Sequence, residues 1–166
     1  MPTSGYYSYS HVGGTPPTDQ NGNVGAMING GTVGITFNST GASVSLTTPA
    51  TWTMLSNSYS LSFSNQPVTI SQTTYSYSNP AWTDVGTTTS ITPIIVIGAA
   101  AGAGCIGGTC PSSITATVSP MLFGANAQGL AAGISTRPTP VISGEITGER
   151  TSSVQVYQGA PSTPPI

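Results

Sequence analysis

Charge is what this chain has least of. Ordinary soluble domains devote about a quarter of their residues to Asp, Glu, Lys and Arg; here the share is 4%. Lysine is absent, Arg137 and Arg150 are the only cations besides the terminus, and Asp19, Asp84, Glu145 and Glu149 are the only acids. Two separated arginines make no basic stripe, which argues against nucleic-acid binding, because that rests on cations neutralising phosphates. Attraction to anionic membrane surfaces is disfavoured for the same reason, and a phosphate loop of the Walker type lacks its lysine. A net charge of −2 supplies little self-repulsion and little long-range steering.

Catalytic groups are as scarce. A Ser-His-acid triad needs a histidine beside the nucleophile, and the one histidine, His11, stands in a polar N-terminal stretch. No G-x-S-x-G elbow occurs. A glycosidase needs paired carboxylates, and the spacing of the four acids selects no pair. "DQNGNVG" opens like a calcium loop with Asp19, Asn21 and Asn23, but one carboxylate is a poor calcium site, and Val24 and Gly30 stand where the loop glycine and closing glutamate belong. Two cysteines are too few for structural zinc. Cys105 and Cys110 enclose "IGGT", which is not the C-x-x-C redox spacing, and are expected to form a local structural disulfide. No catalytic residue, cofactor or metal is therefore expected, and the chain reads as a non-enzyme.

Long apolar runs are missing too. The most apolar stretch, Pro93 to Cys110, is shorter than the about 20 residues of a spanning helix. Gly102, Gly104 and Gly107 fit G-x-G-x-x-G, but the stretch runs through "GGTCPSS" into a strand pattern instead of opening a helix. "PIIVI" is read as a strand covered on both faces, and the Gly/Ala run after it as a place of close backbone approach. The first ten residues have neither the positive nor the apolar region of a secretory signal. The opening methionine favours exit by another route over a leader already removed.

What is present in quantity is hydroxyl. Roughly 50 of the 166 residues are Ser or Thr, far above average usage. They alternate with apolar residues at period two, the mark of half-buried strands: Val33, Ile35 and Phe37; Val44 and Leu46; Trp52 and Met54; Tyr59, Leu61 and Phe63; Val68 and Ile70; Tyr75 and Tyr77; Ile114, Ala116 and Val118; Val154 and Val156. Turn signals such as "NGG" (Asn29 to Gly31) separate the runs. The best helix candidate, Gly124 to Ser135, is broken by glycines. The expected fold is an all-β sandwich, jelly-roll or immunoglobulin-like. Its expected divisions are an N-terminal arm over residues 1–23, the sandwich over 24–158 and a Pro-rich tail over 159–166.

A hydroxyl-coated, ion-poor surface lets subunits pack side by side without desolvating ion pairs. The expected function is a structural assembly subunit of a virion, a capsid decoration or minor coat protein, partnered by copies of itself or by other coat subunits. The expected contact is an arm that adds a strand to a neighbour's sheet, either Gly5 to Gly14 with Tyr6, Tyr7 and Tyr9, or Thr151 to Ile166 with Val154, Val156 and Tyr157. The alternatives are an extracellular filament subunit built by strand exchange and a carbohydrate-binding module. The module would stack sugars on Tyr6, Tyr7, Tyr9, Tyr75, Tyr77 and Trp82. Asn38 opens an N-x-[ST] glycosylation sequon.

Overall fold

A computed structural model of the chain describes residues 2–79, 82–102, 113–124, 127–138 and 151–162. Among these residues the regular structure is all strand. The strands are β1 (Gly5–Gly14), β2 (Thr18–Asp19), β3 (Ala26–Asn29), β4 (Thr32–Asn38), β5 (Gly41–Met54), β6 (Asn57–Val68), β7 (Ile70–Asn79), β8 (Trp82–Ile91), β9 (Ile94–Gly102), β10 (Ser113–Phe123), β11 (Gly129–Pro138) and β12 (Thr151–Ser162).

The all-β expectation holds; the sandwich does not. The main sheet runs β1-β4-β5-β6-β9-β10-β11-β12, and β12 returns to β1, closing an eight-stranded antiparallel barrel. β1, expected as a free arm, is the closing stave. It pairs with β4 from Gly5↔Phe37 to Ser10↔Thr32 and with β12 from Tyr6↔Ser162 to Gly14↔Gln155. The tail is likewise a strand as far as Ser162. Its Pro161 is tolerated because β11 stops pairing at Gln158, so β12 has β1 alone beside it there and one side free of the ladder. β2 and β3 are short additions, on β12 and on the far end of β5.

Eight staves leave an interior just wide enough for side chains to fill. The alternating residues supply them: Val33, Ile35 and Phe37 from β4, Val44 and Leu46 then Trp52 and Met54 from β5, Tyr59 and Leu61 from β6, and Ile114, Ala116 and Val118 from β10 all lie in one buried core. Two runs read as separate strands in the sequence are a single strand, β5, whose Thr47, Thr48 and Pro49 bulge outward between Leu46 and Ala50. Gly124 to Ser135 is no helix: from Gly129 it is β11, with Leu130, Ala132 and Ile134 buried.

Two faces differ from expectation. On β9, Ile94 and Val96 point to the core, but Ile95 is 68% exposed and Ile97 60%, so "PIIVI" is covered on one face only. On β12 the phase is inverted: Gln155 and Tyr157 are buried, and Val154 is 47% exposed.

Glycines recur where a ring lies on the neighbouring strand. A Cβ on Gly159 would strike the Tyr9 ring, one on Gly34 the Tyr6 ring and one on Gly129 the Phe123 ring. The ring replaces the packing that the glycine lacks. The close approach expected after "PIIVI" is present at Gly98, where a Cβ would come 2.8 Å from the Ser60 carbonyl oxygen.

β7 and β8 form a separate two-stranded sheet. Its base is tied by Thr92 N–H donating to the Thr69 carbonyl (3.0 Å) and Thr69 N–H donating to Thr92 Oγ1 (3.0 Å), with Ile91 buried in the core. β8 lies beside β10.

Candidate assembly surface

The barrel wall sorts the expected contact residues into two groups. Tyr9 and Tyr157 are core residues, 0% and 1% exposed. The Tyr9 hydroxyl donates to the Ala127 carbonyl (2.8 Å) and the Tyr157 hydroxyl to the Gly30 carbonyl (2.8 Å). Burial, and secondarily the neighbouring Tyr7, holds the Tyr9 phenol well above its ordinary pKa. Burial pushes Tyr157 up to about 12. Tyr7 is half-buried, edge-on to Phe37 (centroids 5.3 Å apart) and 6.4 Å from Tyr9. Tyr6, also half-buried, covers Gly34. These tyrosines build the wall and its filling; none lies on a free arm. Of the expected contacts Tyr6, Val154 and Val156 face outward, Tyr6 lying over Gly34.

The same phase turns other apolar residues out. Beyond Ile114, Ala116 and Val118, parity places Met121 and Phe123 outside, where they are 54% and 48% exposed. The ladder aligns Met121↔Ala131 and Ala131↔Val156, and Val156 faces Gly13 across the bulge that carries the exposed Val12. Phe123 sits one rung along over Gly129, and Val154 opposite Gly133. An apolar stripe therefore crosses β10, β11, β12 and β1. Its rungs hold no charged residue. Ile95 and Ile97 on β9 make a second, smaller patch opposite Thr117 and Thr115. The reading of the sequence did not single out Met121, Phe123 or Val12, although counting alternate positions from Ile114 finds the first two.

Inside the same wall is a polar cluster. Gln155, 1% exposed, donates through Nε2 to the Thr15 carbonyl (3.0 Å) and shares a 2.7 Å hydrogen bond between its Oε1 and His11 Nε2. The amide oxygen can only accept, so His11 carries its proton on Nε2. The imidazole lies edge-on to Tyr157, centroids 5.5 Å apart. The sole histidine thus has a structural place between β1 and β12. Replacing Gln155 by Leu strands both partners, and we expect a loss of about 2 kcal/mol. Thermal unfolding should register this as a fall of roughly 4–8 °C in Tm.

Asp19 closes its own loop. Oδ1 accepts from the backbone N–H of Asn21 and of Asn23 (both 2.8 Å), and Oδ2 from Asn23 Nδ2 (2.7 Å). The asparagine positions of the calcium-like pattern thus donate to the acid. No group of three His, Cys, Asp or Glu is placed to hold a metal among the described residues. Nor is any helix there long and apolar enough to cross a membrane.

Shallow grooves mark the wall among the described residues. One of about 490 Å³ places Asp19 and Arg137 among hydroxyls of β10, β11 and β12. One of about 500 Å³ runs between Tyr6 and Phe63 over Thr36, Ser45 and Ser62. Another, of about 620 Å³, lies between Tyr7, Gln128 and Pro161. The stacking platform expected of a glycan module is not assembled from Tyr6, Tyr7 and Tyr9, since Tyr9 is core and Tyr7 packs on Phe37. The side chains of Tyr75, Tyr77 and Trp82 lie outside the described residues, as do Cys105 and Cys110 with their expected disulfide, and Glu145, Glu149 and Arg150. Asn38 is exposed at the end of β4, its Oδ1 accepting from Thr40 N–H (3.0 Å) and Thr40 Oγ1 (2.9 Å).

Comparison with family models, with curated proteins and with solved structures found no match in any of the three.

Proposed function

We infer that this chain is a structural assembly subunit, a building block that binds copies of itself in a larger particle. The setting we assign is a virion coat, as a decoration or minor coat protein. The observation that carries the reading is the uncharged apolar stripe across β10, β11, β12 and β1. Surfaces of this kind mark interaction sites, and interface cores are depleted of charge and enriched in Met and aromatic residues. A hydroxyl-rich surround removes the cost of desolvating ions when copies meet. Because β1 and β12 hold the barrel shut, contact is assigned to the outer wall and not to strands donated by the termini.

The test is a pair of substitutions on the stripe, Met121→Asp with Val156→Asp. Sedimentation velocity and electron microscopy of the native chain should find large regular particles. The double variant should keep the native circular dichroism spectrum and fall to small oligomers. Native protein that sediments as single copies at every concentration, or a double variant with unaltered particles, would refute the reading.

A further inference from the structure

The barrel staves pair in a closed ring, but the β7–β8 hairpin does not join it. Isolated two-stranded sheets are marginal in water, and this one is long. Its ladder runs without a register shift from Ile70↔Ile91 to Asn79↔Trp82. Sheet edges are ordinarily blunted by lysine, proline, a bulge or short length. β7 has none of these: its sequence, ISQTTYSYSN, contains no proline and no charge. β8 lies against β10, so β7 is the edge turned away from the barrel. No strand other than β8 pairs with β7 among the described residues.

We propose that β7 of one copy pairs antiparallel with β7 of a second copy about a two-fold axis, making a four-stranded sheet ordered β8-β7-β7-β8. The inference rests on the self-assembly reading above and names its specific contact. A two-fold interface joins a surface to itself, so the strand must tolerate its own copy. β7 does, because every pair across the axis joins uncharged residues. The β8 edge would bring Asp84 into the seam. Main-chain hydrogen bonds along the added strand supply the affinity, as in other strand additions.

Gln72 and Ser76 are exposed on β7, so they can be changed without disturbing the core. One variant carries Gln72→Lys and Ser76→Lys, a second Gln72→Glu and Ser76→Glu. With the axis at Thr74, near the middle of β7, position 72 faces position 76 of the second copy, and like charges there should weaken pairing roughly tenfold in each variant alone. Mixing the two in equal amounts should restore it. Analytical ultracentrifugation of the full chain reads both results, and hydrogen exchange should find the alternate β7 amides that point away from β8 protected only in the associated protein. A third variant, with residues 73–88 replaced by a short Asn-Gly link, should give a folded barrel without this contact. If the lysine variant or the trimmed variant associates as tightly as the native chain, β7 is not the seam, while self-assembly through the stripe stands. If the native chain never associates, the assembly reading falls and takes this contact with it.

Discussion

Removing residues 1–14 should abolish folding, not merely assembly. The truncated chain is expected to lack a cooperative thermal transition and the strand signature in circular dichroism. β1 is hydrogen-bonded on both sides, to β4 and to β12, so its loss opens the ring and exposes two long edges. It also removes the fully buried Tyr9, whose truncation alone would cost about 3–5 kcal/mol. That is a large part of the roughly 5–15 kcal/mol available to a typical domain. The ring of Tyr157 loses His11, the Ala127 carbonyl loses its donor, and Gln155 loses one of its two partners. A dispensable arm predicts the opposite: a truncated protein that melts as the native one does and only fails to assemble. Cooperative melting within a few degrees of the native Tm would overturn the closed barrel. A milder control, Tyr9→Phe, keeps the ring and removes one hydroxyl, and should cost about 1–2 kcal/mol.

β1 resembles an arm in the sequence because of which residues carry its period. In β4, β5 and β10 aliphatic side chains alternate with Ser or Thr, and each expected inward residue is buried. In β1 the inward positions are Tyr7, Tyr9 and His11, separated by Ser8 and Ser10. Rings with polar tips count as little hydrophobicity, so the strand resembles a polar arm. Only partners distant in the chain, the Ala127 carbonyl for Tyr9 and Gln155 for His11 among them, decide that such rings are interior. β12 failed for a related reason. Two phases compete there, and period two favours Val154 with Val156 over Gln155 with Tyr157. Burying Tyr157 fills the barrel and gives its hydroxyl an acceptor, and the fully bonded Gln155 makes that phase affordable. β11 was obscured by Gly and Ala, which have too little side chain to show a period. The stripe was half legible: Val154 and Val156 were marked as contacts, but on an arm instead of a wall. Its continuation through Met121 and Phe123 follows from parity once the inward phase of β10 is known. That the barrel closes, and so which strands lie next to which, depends on pairings between the chain's two ends that no local pattern encodes.

Alkali should unfold this protein in a way that its two buried phenols dictate. Tyrosine in an unfolded chain titrates near pH 10. In the folded barrel Tyr157 is pushed up to about 12 and Tyr9 is raised as well. Above about pH 10 the unfolded chain therefore releases phenolic protons that the folded chain retains, and linkage makes stability fall as pH rises. Below that pH both states hold the protons and the two phenols contribute no slope. Each phenol contributes at most about 1.4 kcal/mol per pH unit between its unfolded and folded pKa, less where water reaches the ring. Denaturant titrations from pH 8 to pH 12 should be level in this contribution at first and then drop steeply. Tyr157→Phe should be less stable than the native chain by about 1–2 kcal/mol at pH 8, because the Gly30 carbonyl loses its donor. Its stability should nonetheless decline less steeply above pH 10, so that the two proteins converge near pH 12. Tyrosinate absorbance supplies an independent reading: of the seven tyrosines, Tyr9 and Tyr157 should ionise late or only as the barrel opens. Parallel stability curves for the native chain and Tyr157→Phe across this range would mean that the phenol is already in water, and that the inward phase assigned to β12 is wrong.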